Sequence, residues 1–303
     1  MNKKDEIKIF YSTDWEDYKV LDTGESERLE QVGGYKFVRP YENAVWQKTL
    51  SKTNWEKVDG KFWSSKSGGK GGWKMNSKLE PEWKMSYKGV SFYAAPTPFR
   101  HFGFFPEQAS HWDFIEAEIK KAVQAENFSK AGPKFLNLFG YTGIASLFAL
   151  RAGAEVTHLD ASKQSLAWAK KNQILSGMES KPMRIICDDV LKFLQREEKR
   201  GNKYDCVIMD PPKFGRGPKG ETWKIEEMLP SLLKAVRKVL SEKPIFVILT
   251  SYATDSSSLS LSYALAEAMK DFSGQIEKGE LCVQEESKGR LISLANTTIW
   301  RSF

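Results

Sequence analysis

The sequence predicts an α/β fold, a mostly parallel sheet closed by a C-terminal antiparallel hairpin, with a small, mainly β domain ahead of it. Three observations predict it. From Lys134 onward, short apolar runs alternate with stretches of helical period. Four of those runs end in a polar or glycine-rich signal: N-L-F-G-Y-T-G (Asn137 to Gly143), H-L-D (His158 to Asp160), Asp188-Asp189, and D-P-P-K-F (Asp210 to Phe214). A parallel sheet builds its binding crevice where such strand ends meet. Upstream, from Tyr18 to Ala95, the pattern is short strands divided by Asp-Thr-Gly, Val-Asp-Gly and Lys-Gly reversals.

Taken in order, Y-K-V-L-D-T-G, Y-K-F-V-R-P, W-E-K-V-D-G-K-F-W and M-S-Y-K-G-V-S-F-Y-A-A supply the strands of the first domain, residues 1–98. Pro96 and Pro98 disfavour helix and mark the connector to the second domain, residues 99–303. Pro106 to Asn127 reads as a helix with Trp112, Ile115, Ile119 and Val123 along one face. Strands follow at Lys134 to Leu138, Glu155 to Asp160, Met183 to Cys187, Tyr204 to Asp210 and Ile245 to Thr250. Helices lie between them at Ile144 to Arg151, Lys163 to Ser176, Val190 to Lys199 and Glu226 to Leu240, with a last one at Leu259 to Met269. Gln275 to Gln284 and Leu291 to Arg301 flank an S-K-G-R turn and form the hairpin.

At 303 residues and 41% apolar composition, the chain can bury one large core or two ordinary ones. Its first residues, M-N-K-K-D-E-I-K, lack the apolar centre of a secretory leader, and its longest aliphatic or aromatic run is Ile245 to Leu249, so the expectation is a soluble, cytoplasmic protein. Cys187, Cys206 and Cys282 are too scattered for a disulfide framework or a zinc site, and no metal is expected.

The net charge of +7 is uneven, because Lys36 to Lys88 holds twelve Lys or Arg against five acids, with five of the ten tryptophans. Lysines interleaved with Trp46, Trp55, Trp63, Trp73 and Trp83, and with S-S-K-S-G-G-K-G-G (Ser64 to Gly72), suit RNA, whose phosphates need neutralising and whose bases stack. The same spacing also suits a small β domain that fills its core with tryptophan.

The first candidate site is the loop after the strand that opens at Lys134. Gly140 and Gly143 let the backbone approach a ligand closely, and the helix from Ile144 aims amides into the same space. The spacing is G-x-x-G, without the G-x-G-x-x-G of dinucleotide binders. Asp160, 17 residues after Gly143, is placed to accept both hydroxyls of a ribose, and Ser162 either joins it or caps the next helix. Of Asp188 and Asp189, one reads as an N-cap and the other as an acceptor for an adenine amino group. A loop for an amino-acid end, an acid for ribose and an acid for adenine describe S-adenosylmethionine better than NAD.

The second site is D-P-P-K-F. Asp210 ends a buried strand, and Pro211 and Pro212, which lack N–H groups, leave carbonyls to accept from a substrate amine. A carboxylate and a carbonyl that both accept from an NH2 would aim the nitrogen lone pair, a positioning effect. Lys213, with Arg216 and Lys219, reads as a basic surface for phosphate or as a solvated loop. Phe214 reads as a stacking platform or a core plug.

Together N-L-F-G-Y-T-G, H-L-D-A-S-K, W-A-K-K-N, D-D-V-L-K-F-L, Y-D-C-V-I-M-D-P-P-K-F-G-R-G and F-F-P-E-Q resemble the class I S-adenosylmethionine-dependent methyltransferases of the bacterial large-subunit ribosomal RNA group, from about His101 to the last residue. The resemblance implies a Rossmann-like sheet in which Asn137, Phe139, Tyr141, Thr142 and Gly143 line the methionine part of the cofactor. It also implies that Asp160 holds the ribose, Asp189 meets the adenine, Gln108 closes over the cofactor and Asp210 to Phe214 face the target. Two departures stand out: P-E-Q-A-S lacks the arginine of the group's F-P-D-Q-R, and L-T-S-Y-A-T (Leu249 to Thr254) lacks the cysteine that cytosine-C5 relatives carry.

Carbon methylation at C5 needs a thiolate to add to the ring first. A nitrogen target therefore fits better, and the expected reaction is methyl transfer to a base nitrogen in RNA, ribosomal by the resemblance, with the β domain helping to hold it. Transfer to a protein or small molecule keeps the cofactor and predicts weak, salt-insensitive RNA binding. A nicotinamide-dependent oxidoreductase lacks its glycine fingerprint here, and a non-catalytic RNA-binding module is the third alternative.

Overall fold

The computed structural model describes residues 6–63, 71–76, 78–125, 132–252 and 256–303; most of the Ser64 to Gly72 segment, with Lys66 and Lys70, lies outside them. The chain folds as two compact units, one of Tyr11–Ala109 and Cys282–Ser293, the other of Met1–Phe10, Ser110–Leu281 and Leu294–Phe303. This division differs from a single cut after residue 98, because the larger unit takes the first strand and the smaller one takes the tip of the C-terminal hairpin.

The first strand, β1 (Ile7–Phe10), belongs to the larger unit. In the β-rich unit, β2 (Tyr18–Gly24), β3 (Glu27–Val32), β4 (Tyr35–Pro40), β5 (Gly60–Trp63) and β6 (Gly72–Met75) form one sheet in that order, and β7 (Trp83–Tyr87) pairs with β8 (Val90–Ala94). Lys88 and Gly89, both at positive φ (45° and 80°), make the two-residue turn of that hairpin. Short helix α1 (Lys52–Glu56) lays Trp55 on Leu29 and Val38.

The core reading of the tryptophans prevails at most positions. Trp73 and Trp83 pack on Phe37 and Phe102, and Trp55 donates its ring N–H to Asp22. Trp63 is the exception in that stretch, 52% exposed. Glu25 and Glu27 face Lys48, Glu27 also takes Lys61, and counted over the whole unit the charge is nearer balance, seventeen Lys or Arg against fifteen acids. At its centre Glu30, fully buried, accepts from Tyr18 Oη (2.6 Å) and from both Arg39 Nε and Nη2. Burial opposes ionisation of Glu30, yet the Arg28 and Arg39 guanidiniums hold its carboxyl down at about 2.

In the larger unit, α2 (Ala109–Gln124) precedes the alternating elements β9 (Lys134–Leu138), α3 (Ile144–Ala152), β10 (Glu155–Asp160), α4 (Lys163–Leu175), β11 (Met183–Cys187), α5 (Val190–Lys199) and β12 (Cys206–Met209). After β12 comes a small hairpin, β13 (Phe214–Arg216) and β14 (Thr222–Lys224), then α6 (Ile225–Val239), β15 (Phe246–Ser251), α7 (Ser258–Met269), β16 (Gly274–Gln284) and β17 (Leu291–Ser302). Among the described residues one eight-stranded sheet runs β1-β16-β17-β15-β12-β9-β10-β11. The chain starts at β9, moves outward through β10 and β11, then returns to β12 on the other side of β9. That reversal is the switch point where a parallel sheet opens a crevice. Strands β12 and β15 are buried at every residue, so they read as continuous apolar runs rather than alternating ones. Only β17 against β15 is antiparallel among the pairs with β9 to β15, as the hairpin expectation requires.

Several elements were not expected: in the β-rich unit β3, β6 and α1, which takes Trp55 and Glu56 from the expected W-E-K-V-D-G-K-F-W strand, and in the larger unit β1 and the hairpin β13-β14. Strand β1 adds in parallel to β16 with no buried residue of its own, so it carries no alternation to read. Hairpin β13-β14 occupies what reads in sequence as a loop. Among the described residues, no helix is long and apolar enough to cross a membrane, and no group of His, Cys, Asp or Glu is arranged to hold a metal.

Candidate active site

The four strand ends are neighbours. Met209 pairs with Leu138, Leu138 with Leu159 and Asp160 with Cys187, so the four sequence signals form one row along the carboxyl edge of β12, β9, β10 and β11. The backbone N–H of Asp188 also donates to Asp160 O (3.2 Å).

The loop after β9 holds a conformation it would not choose alone. Phe139 (φ 59°) and Tyr141 (φ 51°) are left-handed without being glycine, and Gly143 (φ 84°) follows as the N-cap of α3. Four bonds from outside the loop fix it: Gly140 N to Leu159 O (2.9 Å), Tyr141 N to Asp160 Oδ2 (2.9 Å), His158 Nε2 to Tyr141 O (3.2 Å) and Asn172 Nδ2 to Thr142 O (2.9 Å). A carbonyl only accepts, so His158 carries its proton on Nε2 and its Nδ1 accepts from Ser146 Oγ (3.0 Å). Ser146 in turn accepts from Asn137 Nδ2 (3.0 Å). Burial pushes His158 down to about 4, which keeps this chain of donors neutral and in one sense.

Asn137 is 4% and Thr142 2% exposed, and the Asn137 side-chain amide donates to Ser146, so it supports the loop from beneath. Gly140 is required for a different reason from the one its motif suggests. A Cβ there would lie 2.3 Å from His158 Cε1, so the close approach is to the histidine. At Gly143 the added atom would lie 2.9 Å from Ala169 Cβ.

Asp160 sits half-buried at the end of β10 and binds two strand-end amides, Tyr141 N through Oδ2 and Ser162 N (2.8 Å) through Oδ1. Burial raises its pKa, and the Ser162 and Tyr141 amides oppose that rise. Ser162 takes the capping role: its Oγ accepts from Ser165 N (3.2 Å) at the start of α4. Asp189 is likewise the N-cap of α5, accepting from Lys192 N (3.0 Å), and Asp188 is paired with Arg196. Tyr141 stays partly exposed, with its hydroxyl pushed up to about 12 by burial and by the Asp160 charge.

At the second site Asp210 follows β12 directly. Of the two proline carbonyls, Pro212 O already accepts one bond, from Trp223 Nε1 (2.7 Å), and Lys213 O takes Ile225 N (3.1 Å). Trp223, buried on β14, also meets the Phe139 ring edge-on at 4.9 Å between centroids. One side chain therefore ties the D-P-P-K-F turn to the loop after β9. Sequence reading missed it, and also missed His158, Ser146 and Asn172; the only signal for Trp223 was an isolated apolar residue between charged ones in E-T-W-K. Phe214 is 56% exposed, which removes the core-plug reading. Gln108 lies buried in a short 3-10 helix (Pro106–Gln108) of the β-rich unit.

The cysteines stand away from a nucleophile's place. Cys206 is buried within β12 and its thiol is pushed well up by burial; Cys187 Sγ donates to Ala161 O (3.6 Å); Cys282 belongs to the β-rich unit. The donor set suits an adenosyl sulfonium. The Asp160 carboxylate accepts from the Ser162, Tyr141 and Ala161 amides and, with about four lone-pair sites, keeps capacity for a ribose hydroxyl, and the loop from Asn137 to Ser146 carries aromatics and no Lys or Arg, which suits a cation.

A family model described as S-adenosylmethionine-dependent methyltransferase matches residues 113–242. A solved S-adenosylmethionine-dependent methyltransferase from Agrobacterium tumefaciens is 39% identical, superposes with a TM-score of 0.90, and is matched over 98% of this chain and 94% of that one. Ribosomal RNA large subunit methyltransferase K of Neisseria meningitidis is 39% identical over 90 residues, 29% of this chain and 25% of that protein. Ribosomal RNA large subunit methyltransferase I of Aeromonas hydrophila is 38% identical over 84 residues, 27% of this chain and 21% of that protein. The matched segment is thus a quarter or less of these two curated relatives.

Proposed function

We propose, from the premise that the chain belongs to the S-adenosylmethionine-dependent methyltransferases, that it methylates a base nitrogen in ribosomal RNA. S-adenosylmethionine supplies an electrophilic methyl on a sulfonium when bound. The observation that carries the proposal is the row of strand ends in which the Asp160 carboxylate and the Asp210 turn flank one strained, uncharged loop. Asp160 would accept from the ribose hydroxyls, Asp189, whose Oδ1 caps α5, from the adenine amino group through Oδ2, and the first amides of α3 would meet the methionine carboxylate.

On the substrate side, Asp210 and the Pro211 carbonyl would accept from an amine and so hold its lone pair toward the methyl. Nothing further is asked of them than positioning, which is a large effect when two reactants are fixed. A nitrogen has the lone pair this requires, whereas a C5 carbon would need a thiolate that no cysteine is placed to supply. The ribosomal RNA methyltransferases among its relatives support RNA as the substrate over protein or a small molecule.

Mass spectrometry of RNA nucleosides from cells with and without the protein tests the reading. One methylated nucleoside should disappear, and Asp210→Ala should fail to restore it while binding S-adenosylmethionine as tightly as the parent. Unchanged RNA, with the label from methyl-labelled cofactor found in protein, would give the reaction to the alternative substrate class.

A further inference from the structure

Hairpin β13-β14 has two faces, and the register decides what each shows. Phe214 pairs with Lys224, Gly215 with Trp223 and Arg216 with Thr222. Residues opposite one another in an antiparallel pair share a face. Gly215 and Trp223 therefore point one way, and Trp223 is buried against the core. Phe214, Lys224, Arg216 and Thr222 point the other way, and all four are exposed.

The inner face makes the hairpin rigid. The Trp223 bond to Pro212 O, its packing on Phe139 and the Ile225 N bond to Lys213 O fasten its base to the D-P-P-K-F turn. Its single acid, Glu221, is turned back on the hairpin and its support: Oε2 accepts from Lys219 N (2.9 Å) and Oε1 pairs with Lys192 of α5. Arg216 and Lys219 are thus left, among the described residues, with no acidic partner for their side chains.

We infer that the outer face of this hairpin, together with the loop at its tip, is the surface that grips RNA next to the target base, with Phe214 stacking on a base and Arg216 and, from the tip, Lys219 neutralising two phosphates. The inference rests on the RNA reading above. Aromatic and guanidinium groups alternating on a fixed ribbon are what a single-stranded polyanion with π faces requires. The β-rich unit is a weaker candidate, since most of its tryptophans pack in its core and Lys48, Lys61 and Lys88 each meet one of its own acids.

The test is the salt dependence of binding between the full chain and purified large-subunit ribosomal RNA, with a single-stranded RNA oligonucleotide as second probe. Arg216→Gln with Lys219→Gln should lower the slope of log K against log salt by about 1.4, two single-strand phosphate contacts. Phe214→Ala should weaken binding by about fivefold or more with the slope kept. S-adenosylmethionine affinity, measured by calorimetry on each variant, should match the parent and show that the unit is folded. If the parent binds RNA with a steep slope and the double variant is indistinguishable from it, the hairpin is not the surface, and the RNA reading survives. If the parent itself binds RNA weakly and without salt dependence, both fall together.

Discussion

Asp160→Asn separates a structural carboxylate from a ligand-binding one, because the wild-type group serves both Tyr141 N (2.9 Å) and Ser162 N (2.8 Å). An amide has one acceptor oxygen. Its NH2 group must then face one of those two N–H donors, so one charge-assisted bond worth about 1.5–3 kcal/mol is lost and one donor is left opposed at a cost of about 1–3 kcal/mol. Burial of the ionised carboxylate, which raises its pKa, offsets part of this. A net loss of about 3 kcal/mol in the stability of the larger unit results. The cofactor loses a charged acceptor as well, so its Kd should rise by about 10- to 150-fold. Calorimetric titration with S-adenosylmethionine and a thermal melt measure the two effects on one sample. A Kd within twofold of the parent, with an unmoved melting midpoint, would refute the reasoning at both levels.

Gly140→Ala puts a methyl 2.3 Å from His158 Cε1, inside a ring whose two nitrogens are both engaged, and overpacking of that kind costs about 1–3 kcal/mol. A parental melting temperature and cofactor affinity would show that the loop yields easily. Trp223→Phe keeps the contact with Phe139 but removes the N–H to Pro212 O, so turnover should fall roughly two- to tenfold with KM for S-adenosylmethionine unchanged. An equal change in both constants would assign Trp223 to general stability only. His158, neutral when folded and with a pKa lowered from 6.5 to about 4, binds a proton more readily in the unfolded chain. Its stabilising contribution is therefore complete above pH 6.5 and lost as the pH falls toward 4, up to about 3 kcal/mol, and His158→Gln should make that limb of a melting-temperature profile shallower, the rest belonging to His101 and His111, which burial also lowers, to about 3.

The parallel sheet was legible because its strands are apolar runs bounded by glycine, acid and proline, and β9, β10 and β11 begin and end at the residues where those signals sit. The positions of Asp160 and the D-P-P-K-F turn were legible for the same reason. What lies beneath the loop was not. Ser146 reads as an ordinary helix residue, His158 as an ordinary strand residue and Asn172 as an ordinary surface amide, and only their convergence on Asn137, Tyr141 and Thr142 gives them roles. The charge of Lys36 to Lys88 is legible only as a count, because the acids that answer Lys48 and Lys61 come from residues just before that stretch. Linear counting has no access to a neighbouring strand.

The loop after β9 also shows why its anchors matter to chemistry they do not touch. Two left-handed non-glycine residues, Phe139 and Tyr141, cost about 2–6 kcal/mol together. The four anchoring bonds, one of them to a charged carboxylate, return about 3–7 kcal/mol, so the strained form is favoured by a small margin. A margin that small disappears when one anchor is removed. The loop would then relax toward negative φ and take with it the Tyr141 amide that Asp160 holds and the Phe139 ring that Trp223 holds. Because those two contacts lead to Asp160 and to the D-P-P-K-F turn, the proposed holders of ribose and substrate, a change at buried His158 should weaken cofactor binding and slow transfer together, although its ring meets only the protein. The order of the site thus resides in the folded chain before any ligand arrives, which is what positioning catalysis demands.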